Sequence, residues 1–152
     1  MSSPSYDRYV ESTILNAGPV ELVHLMLRAS VGSVQQARLH LGTGDVAARG
    51  RSIDKTMAIV NELIISLDRE AAPEYSRNAM ALYLYIGDRL TEGHLHQADG
   101  PLAEAEGLLE TLATAWEQMD AAASSSGAFE LAEMPTHLMA ERPEAAFHAW
   151  TA

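Results

Sequence analysis

The chain has 152 residues, 47% of them apolar, no cysteine and a formal net charge of -11. That length supports one domain with a single core. A mean hydropathy of -0.07 without a long apolar run excludes a membrane span, and ten basic against twenty-one acidic residues leave no positive stripe for phosphate. The missing cysteines remove disulfides, thiolate catalysis and cysteine-type zinc sites together. Residues Met1 to Tyr6 show neither a basic nor an apolar leader region, so no signal peptide is expected and a cytoplasmic location is.

Residues 1–17 read as a short arm. Tyr6 and Tyr9 stand among polar residues, and Val10, Ile14 and Leu15 form an apolar patch that suits a turn or two of helix. The first long helix opens at Gly18, with Pro19 at N1, where its missing N–H costs nothing, and Glu21 at N3. Leu22, Val23, Met26, Val34, Ala37 and Leu41 recur on one face, and Gly42-Thr43-Gly44 ends the helix. Asp45 caps a second helix with Val46, Ile53, Met57, Val60, Leu63, Ile64 and Leu67 on its predicted inner face. Gly50 is a weak point within it, worth about 1 kcal/mol against alanine.

A turn over Asp68 to Pro73 leads to a third helix from about Glu74 to Leu95, with Tyr75, Ala79, Leu82, Tyr83, Ile86 and Leu90 in register. Asp99-Gly100-Pro101 breaks the chain before a fourth helix carrying Leu102, Ala105, Leu108, Leu109, Leu112, Trp116 and Met119. Long helices on short connections predict an all-α, antiparallel up-down four-helix bundle over residues 18–123. From Asp120 the run Ala121 to Gly127 reads as a fraying helix end entering a linker, so 124–152 forms a C-terminal extension. Its apolar residues, among them Phe129, Met134, Phe147 and Trp150, are too many for an inert tail and too few for a second core.

Chemical motifs are scarce. Glu21-x-x-His24 has di-iron spacing, but the chain has no second copy of the motif, and such a site needs two. Capping explains Glu21 better. His94-Leu95-His96 lacks a third ligand in sequence reach, and neither Gly-x-Ser-x-Gly nor a phosphate loop occurs. The expectation is a protein without catalysis, cofactor or metal.

The helical hairpin carries the strongest signal. Its second and third helices have apolar faces wider than a small bundle needs, as in Leu63-Ile64-Ile65-Ser66-Leu67-Asp68 and Leu82-Tyr83-Leu84-Tyr85-Ile86. With Pro19-x-Glu21-Leu22-Val23, Gly44-Asp45, Ile59-Val60-Asn61-Glu62, Arg89-Leu90, Leu108-Leu109 and Trp116, the ordered set resembles the flagellar export chaperone family FliS from about Tyr6 to Met119. It departs from the family pattern at Gly18 (usually serine), Leu27-Arg28-Ala29 (Tyr-Asp-Gly), Ala72-Pro73 (Gly-Gly) and Leu84 (Asp).

The resemblance implies a cytoplasmic chaperone that holds the disordered C-terminal segment of flagellin, prevents early polymerisation and aids delivery to the export apparatus. An export-gate component, FlhA, is a further implied partner. The protein itself is expected as a monomer or weak homodimer. Ile59, Ile65, Leu84 and Tyr85 lie off the tightest inner stripes and are the candidate client contacts. They are joined by Ile14 and by Tyr6 and Tyr9, which resemble family tyrosines in an arm that covers the empty groove. The alternatives are an adaptor for another flagellar client or regulator and a self-associating bundle. In the tail, Phe147 and Trp150, with Phe129 and Met134, could fold back into the client groove as a built-in competitor; the plainer reading is a lineage-specific extension.

Overall fold

A computed structural model describes residues 17–133 and the single positions Ser5, Arg8 and Glu11, with side chains given as far as Ser125. The expectations placed on Tyr6, Tyr9, Ile14 and the tail beyond residue 133 lie outside the described residues. Four helices follow one another: α1 (Pro19–Thr43), α2 (Val46–Ile65), α3 (Pro73–Leu95) and α4 (Asp99–Glu133). Among the described residues there is no strand, and no helix is long and apolar enough to cross a membrane. α1 and α3 each pack against both α2 and α4, so the four helices form a square ring around one core.

Local chemistry sets the helix ends. Gly18 precedes Pro19 as expected, and no side chain caps that end. Gly44 closes α1 in the left-handed region (φ 74°), where a side chain would be strained, and its N–H reaches back to carbonyls of α1. Asp45 then caps α2, its Oδ1 accepting from the N–H of Ala48 at 2.9 Å. The α2–α3 turn is organised by Asp68, whose Oδ1 accepts from the N–H groups of Glu70 and Ala71 at 3.0 and 2.9 Å. Its carbonyl takes the hydroxyl of buried Ser76 at 2.8 Å. Gln97 ends α3 at φ 52°, with the Ala98 N–H donating to the Gly93 carbonyl.

Leu27, Val31, Val34 and Ala37 of α1 meet Ile53, Val60 and Leu63 of α2, Tyr83, Ile86 and Leu90 of α3, and Leu102, Ala105, Leu109, Ala113 and Trp116 of α4. Along α1 the buried positions include small ones, Ser30, Ser33 and Ala37, and α4 offers Ala105 and Ala113. Small side chains let backbones approach closely, and α1 runs close to both its neighbours. α3 is seated less closely on the same two helices, and its buried face combines Tyr83, Ile86 and Leu90 with Ser76, Gly87 and Gly93.

Ion pairs bind the α1–α4 seam and confirm the antiparallel register. Arg38 near the end of α1 meets Asp99 at the start of α4 (2.7 Å) and Glu106 (2.7 Å), while Arg28 meets Glu110 (2.5 Å) and Glu117 (3.0 Å). Hydrogen bonds from Arg38 hold the Asp99 carboxyl below its usual range, although partial burial opposes this.

Three expectations need correction. The inner face of α2 is set by Arg49, Ile53, Thr56, Val60 and Leu63, so Val46 (52% exposed) and Met57 lie outside it. Leu22, Tyr75 and Met119, placed in register with the core, are also exposed. Arg49, only 1% exposed, fills the missing core position, its Nε donating to His94 Nδ1 at 3.1 Å and Nη2 to the His94 carbonyl at 3.4 Å. Finally, α4 runs without a break through the alanine-serine stretch to Glu133. Alanine is the best helix former and serine a tolerable one, and no proline intervenes before Pro135.

Two glycines should answer oppositely to alanine. A Cβ at Gly50 would meet only the His94 ring, at 3.6 Å (Cε1) and 3.8 Å (Nε2), so Gly50→Ala should stabilise by about 0.5–1 kcal/mol. At Gly93 it would lie 2.6 Å from two carbons of fully buried Leu102, so Gly93→Ala should cost about 1–3 kcal/mol; urea denaturation of both variants measures each sign. A lowered acid stabilises above its unfolded value, about 3.9, and that contribution is lost as pH falls through the lower folded value. Between pH 5 and pH 2, Asp99→Asn should therefore lose less thermal stability than the parent, the difference staying below about 1 kcal/mol because Asp99 is half exposed.

Candidate functional site

A helix seated loosely between two neighbours leaves a groove on each side, and α3 has both. On the α2 side, Met80, Leu84, Gly87, Thr91 and Leu95 follow one another at helical spacing, as do Val46, Gly50, Met57 and Ile64 on α2. The two rows face each other where a Cβ on Gly87 would lie 3.4 Å from Met57 Cε. Val46, Met57, Leu84 (56%) and Leu95 are exposed there, and Ile64 and Met80 are half-buried. The missing side chain at Gly87 lets Met57 sit against the α3 backbone, which keeps the floor shallow and apolar.

On the α4 side, Tyr75, Leu82 and Tyr85 of α3 share a flank with Leu108, Leu112 and Met119 of α4 by the same helical phase. Tyr75, Tyr85 and Met119 are exposed, and the three leucines half-buried against the core. Polar groups fix one end. The Tyr85 hydroxyl donates to Glu104 Oε1, and that bond raises the phenol above its usual range. Arg89 Nε lies 2.8 Å from Glu104 Oε2 but off line for a hydrogen bond, while its Nη1 donates to Glu92 at 2.6 Å. The bond to Glu104 places Tyr85 as an aromatic edge on the groove.

The sequence candidates fall in different places. Leu84 lies on the α2 side of α3 and Tyr85 on the α4 side, so the two grooves divide them. Ile65 is 63% exposed at the end of α2. Ile59 is half-buried against the core, on the opposite side of α2 from Met57, and belongs to neither groove. Tyr83 points inward and is buried, which pushes its hydroxyl up, whereas Tyr85 two residues on faces out. Val46, Met57, Tyr75 and Met119 are the residues that sequence reasoning assigned to the core. Their signal was present in the excess width of the apolar faces.

Where two helix ends meet Trp116, a cavity of about 20 Å³ is lined by Val23, Leu63, Asp68, Tyr75 and Tyr83, among others. That is room for about one water and no ligand. His24 Nε2 accepts from Arg28 Nε at 3.4 Å, which sets a guanidinium beside Glu21-x-x-His24. Among the described residues no three His, Asp or Glu side chains gather as a metal site would need.

The bundle thus belongs to the class of helical proteins that present apolar grooves and no built catalytic constellation among the described residues. Comparison with known proteins gives it a family. The profile described as "Flagellar protein FliS" matches residues 1–123. The flagellar secretion chaperone FliS of Salmonella typhimurium is 35% identical over 116 residues, 76% of this chain and 86% of its own length. The Escherichia coli protein of the same name is 30% identical over 110 residues (72% and 81%), and that of Bacillus subtilis 26% over 113 (74% and 84%). The chain belongs to the FliS family.

Proposed function

We propose that this protein is a cytoplasmic export chaperone that holds the disordered C-terminal segment of flagellin, keeps it from polymerising early and delivers it to the flagellar export apparatus. The observation that carries the reading is the pair of apolar grooves flanking α3, which the bundle's own core leaves uncovered. An assembly segment that buries an apolar face in a filament exposes that face in the free monomer. Grooves lined by Leu84 and Met57 on one side and Tyr85 and Met119 on the other suit helix-in-groove capture, in which anchors recur at one-turn intervals.

Energetics favour a long contact. Ordering a disordered segment costs about 2–5 kcal/mol, and each well-buried large side chain returns about 1.5–3 kcal/mol. Several anchors spread over two grooves offset that cost, and one groove of the same depth leaves little surplus. Residues 1–17 and 124–152 are assigned by this reading to an arm and a tail flanking the client-binding bundle.

Leu84→Asp tests the assignment, because it places a charge in the groove without touching the core. The Kd for a synthetic C-terminal segment of the same organism's flagellin should rise at least about tenfold, equal to 1.4 kcal/mol, while stability stays within about 0.5 kcal/mol. Unchanged affinity would move the client off this surface.

A further inference from the structure

One glycine of the α2–α3 groove has no evident structural need to be glycine. Gly87 lies in the interior of α3 with ordinary helical backbone, where glycine weakens a helix relative to alanine. It is buried, and a Cβ there would meet only Met57 Cε at 3.4 Å and Sδ at 3.6 Å. Those two atoms are the free end of a flexible side chain that is itself 36% exposed. The Gly87 backbone is engaged in the α-helical ladder, and its carbonyl also takes the Thr91 hydroxyl at 3.0 Å. The floor beneath Met57 is therefore a notch without a free polar group.

Two turns along the groove, about 10 Å away, the same arrangement recurs with one difference. Gly50 of α2 lies under the His94 ring of α3, as Gly87 of α3 lies under Met57 of α2. His94 is tied down, its Nδ1 accepting from Arg49 Nε at 3.1 Å and its carbonyl from Nη2 at 3.4 Å. Among the described residues Met57 makes no hydrogen bond, and contact alone holds its thioether over Gly87. One notch is locked and the other is closed by a side chain free to turn.

We propose that Gly87 floors an anchor pocket for the client. Met57 fills it in the free protein and swings aside on binding, so that one aliphatic side chain of a client helix takes its place against the α3 backbone. The inference rests on the client reading of this groove. The surroundings decide the chemistry of the occupant. Ile64, Met80 and Leu84 carry no charge, and the space that Met57 vacates is that of a sulfur and a methyl group, the size of an aliphatic end and not of an aromatic ring. Exposed Leu84, one turn back along α3, supplies the adjoining wall. The displaced thioether, soft and adaptable, then lies along the seated side chain.

Two measurements on the full chain test this, with the synthetic flagellin C-terminal segment as probe. Gly87→Ala fills the notch with one methyl group. The melting temperature should stay level or rise, and the Kd from calorimetry should rise about tenfold. Gly107→Ala, on exposed α4 surface with nothing within 4 Å of its Cβ, should leave the Kd unchanged. Methyl-labelled methionine NMR reads the swing itself, with the Met57 signal assigned by its loss in Met57→Leu. In the free protein the Met57 methyl should show a nuclear Overhauser contact to the Gly87 α-protons. In the saturated complex that contact should be lost and replaced by one from a client methyl group. A Met57 contact that survives saturation overturns the proposal, whether or not Gly87→Ala folds, and so does parental affinity in a folded Gly87→Ala. If Leu84→Asp weakens binding and Gly87→Ala does not, the pocket is wrong and the client reading stands. A parent protein that does not bind the segment at all overturns both.

Discussion

The close approach of α1 to α2 and α4 governs the rest of this molecule. Ser30, Ser33 and Ala37 on one side and Ala105 and Ala113 on the other bring the backbones together, and Arg28 and Arg38 tie the outer edge to four carboxylates of α4. Three helices are thereby locked. The fourth fills what space remains with Tyr83, Ile86 and Leu90, beside the small buried residues Ser76, Gly87 and Gly93. It packs less closely on its two neighbours than α1 does, and apolar residues on both its flanks stay exposed.

That division of labour separates stability from recognition. The core is closed by fully buried leucines and by satisfied polar groups: the Ser30 hydroxyl donates to the Leu27 carbonyl at 2.6 Å and that of Thr56 to the Ser52 carbonyl at 3.0 Å. Exposed apolar residues such as Leu84, Leu95 and Val46 contribute little to that core. Side chains that are free of the core can be shaped by what they bind. Two guanidinium nitrogens run against economy, Arg49 Nη1 and Arg89 Nε, each buried without a hydrogen bond among the described residues. An unpaired buried donor costs about 1–3 kcal/mol, and at Arg49 the structure offers no account of what offsets it.

Much of this was legible in the sequence. Pro19, Gly44 and Asp45 mark helix ends by chemistry that needs no tertiary context, and Val34, Val60, Ile86, Leu90, Leu109 and Trp116 fall into the core by spacing alone. The phase of α2 was harder. Its true inner stripe includes Arg49 and Thr56, which read as polar, while Val46, Met57 and Ile64 form an apolar stripe one step around. Periodicity reports an apolar face but not whether the protein or a partner covers it. Tyr83 and Tyr85 show the same limit, since two similar residues two positions apart take opposite sides of one helix. The end of α4 was misjudged because alanine and serine suit a linker by complexity and a helix by propensity, and here propensity wins.

Amide hydrogen exchange, with and without the flagellin C-terminal segment, reads the central claim most directly. If α3 is the loosely seated helix whose flanks receive the client, its amides exchange through smaller openings than those of α1 in the free protein, and they gain the most protection in the complex. Protection gained chiefly along the exposed face of α1, with α3 unchanged, would contradict it.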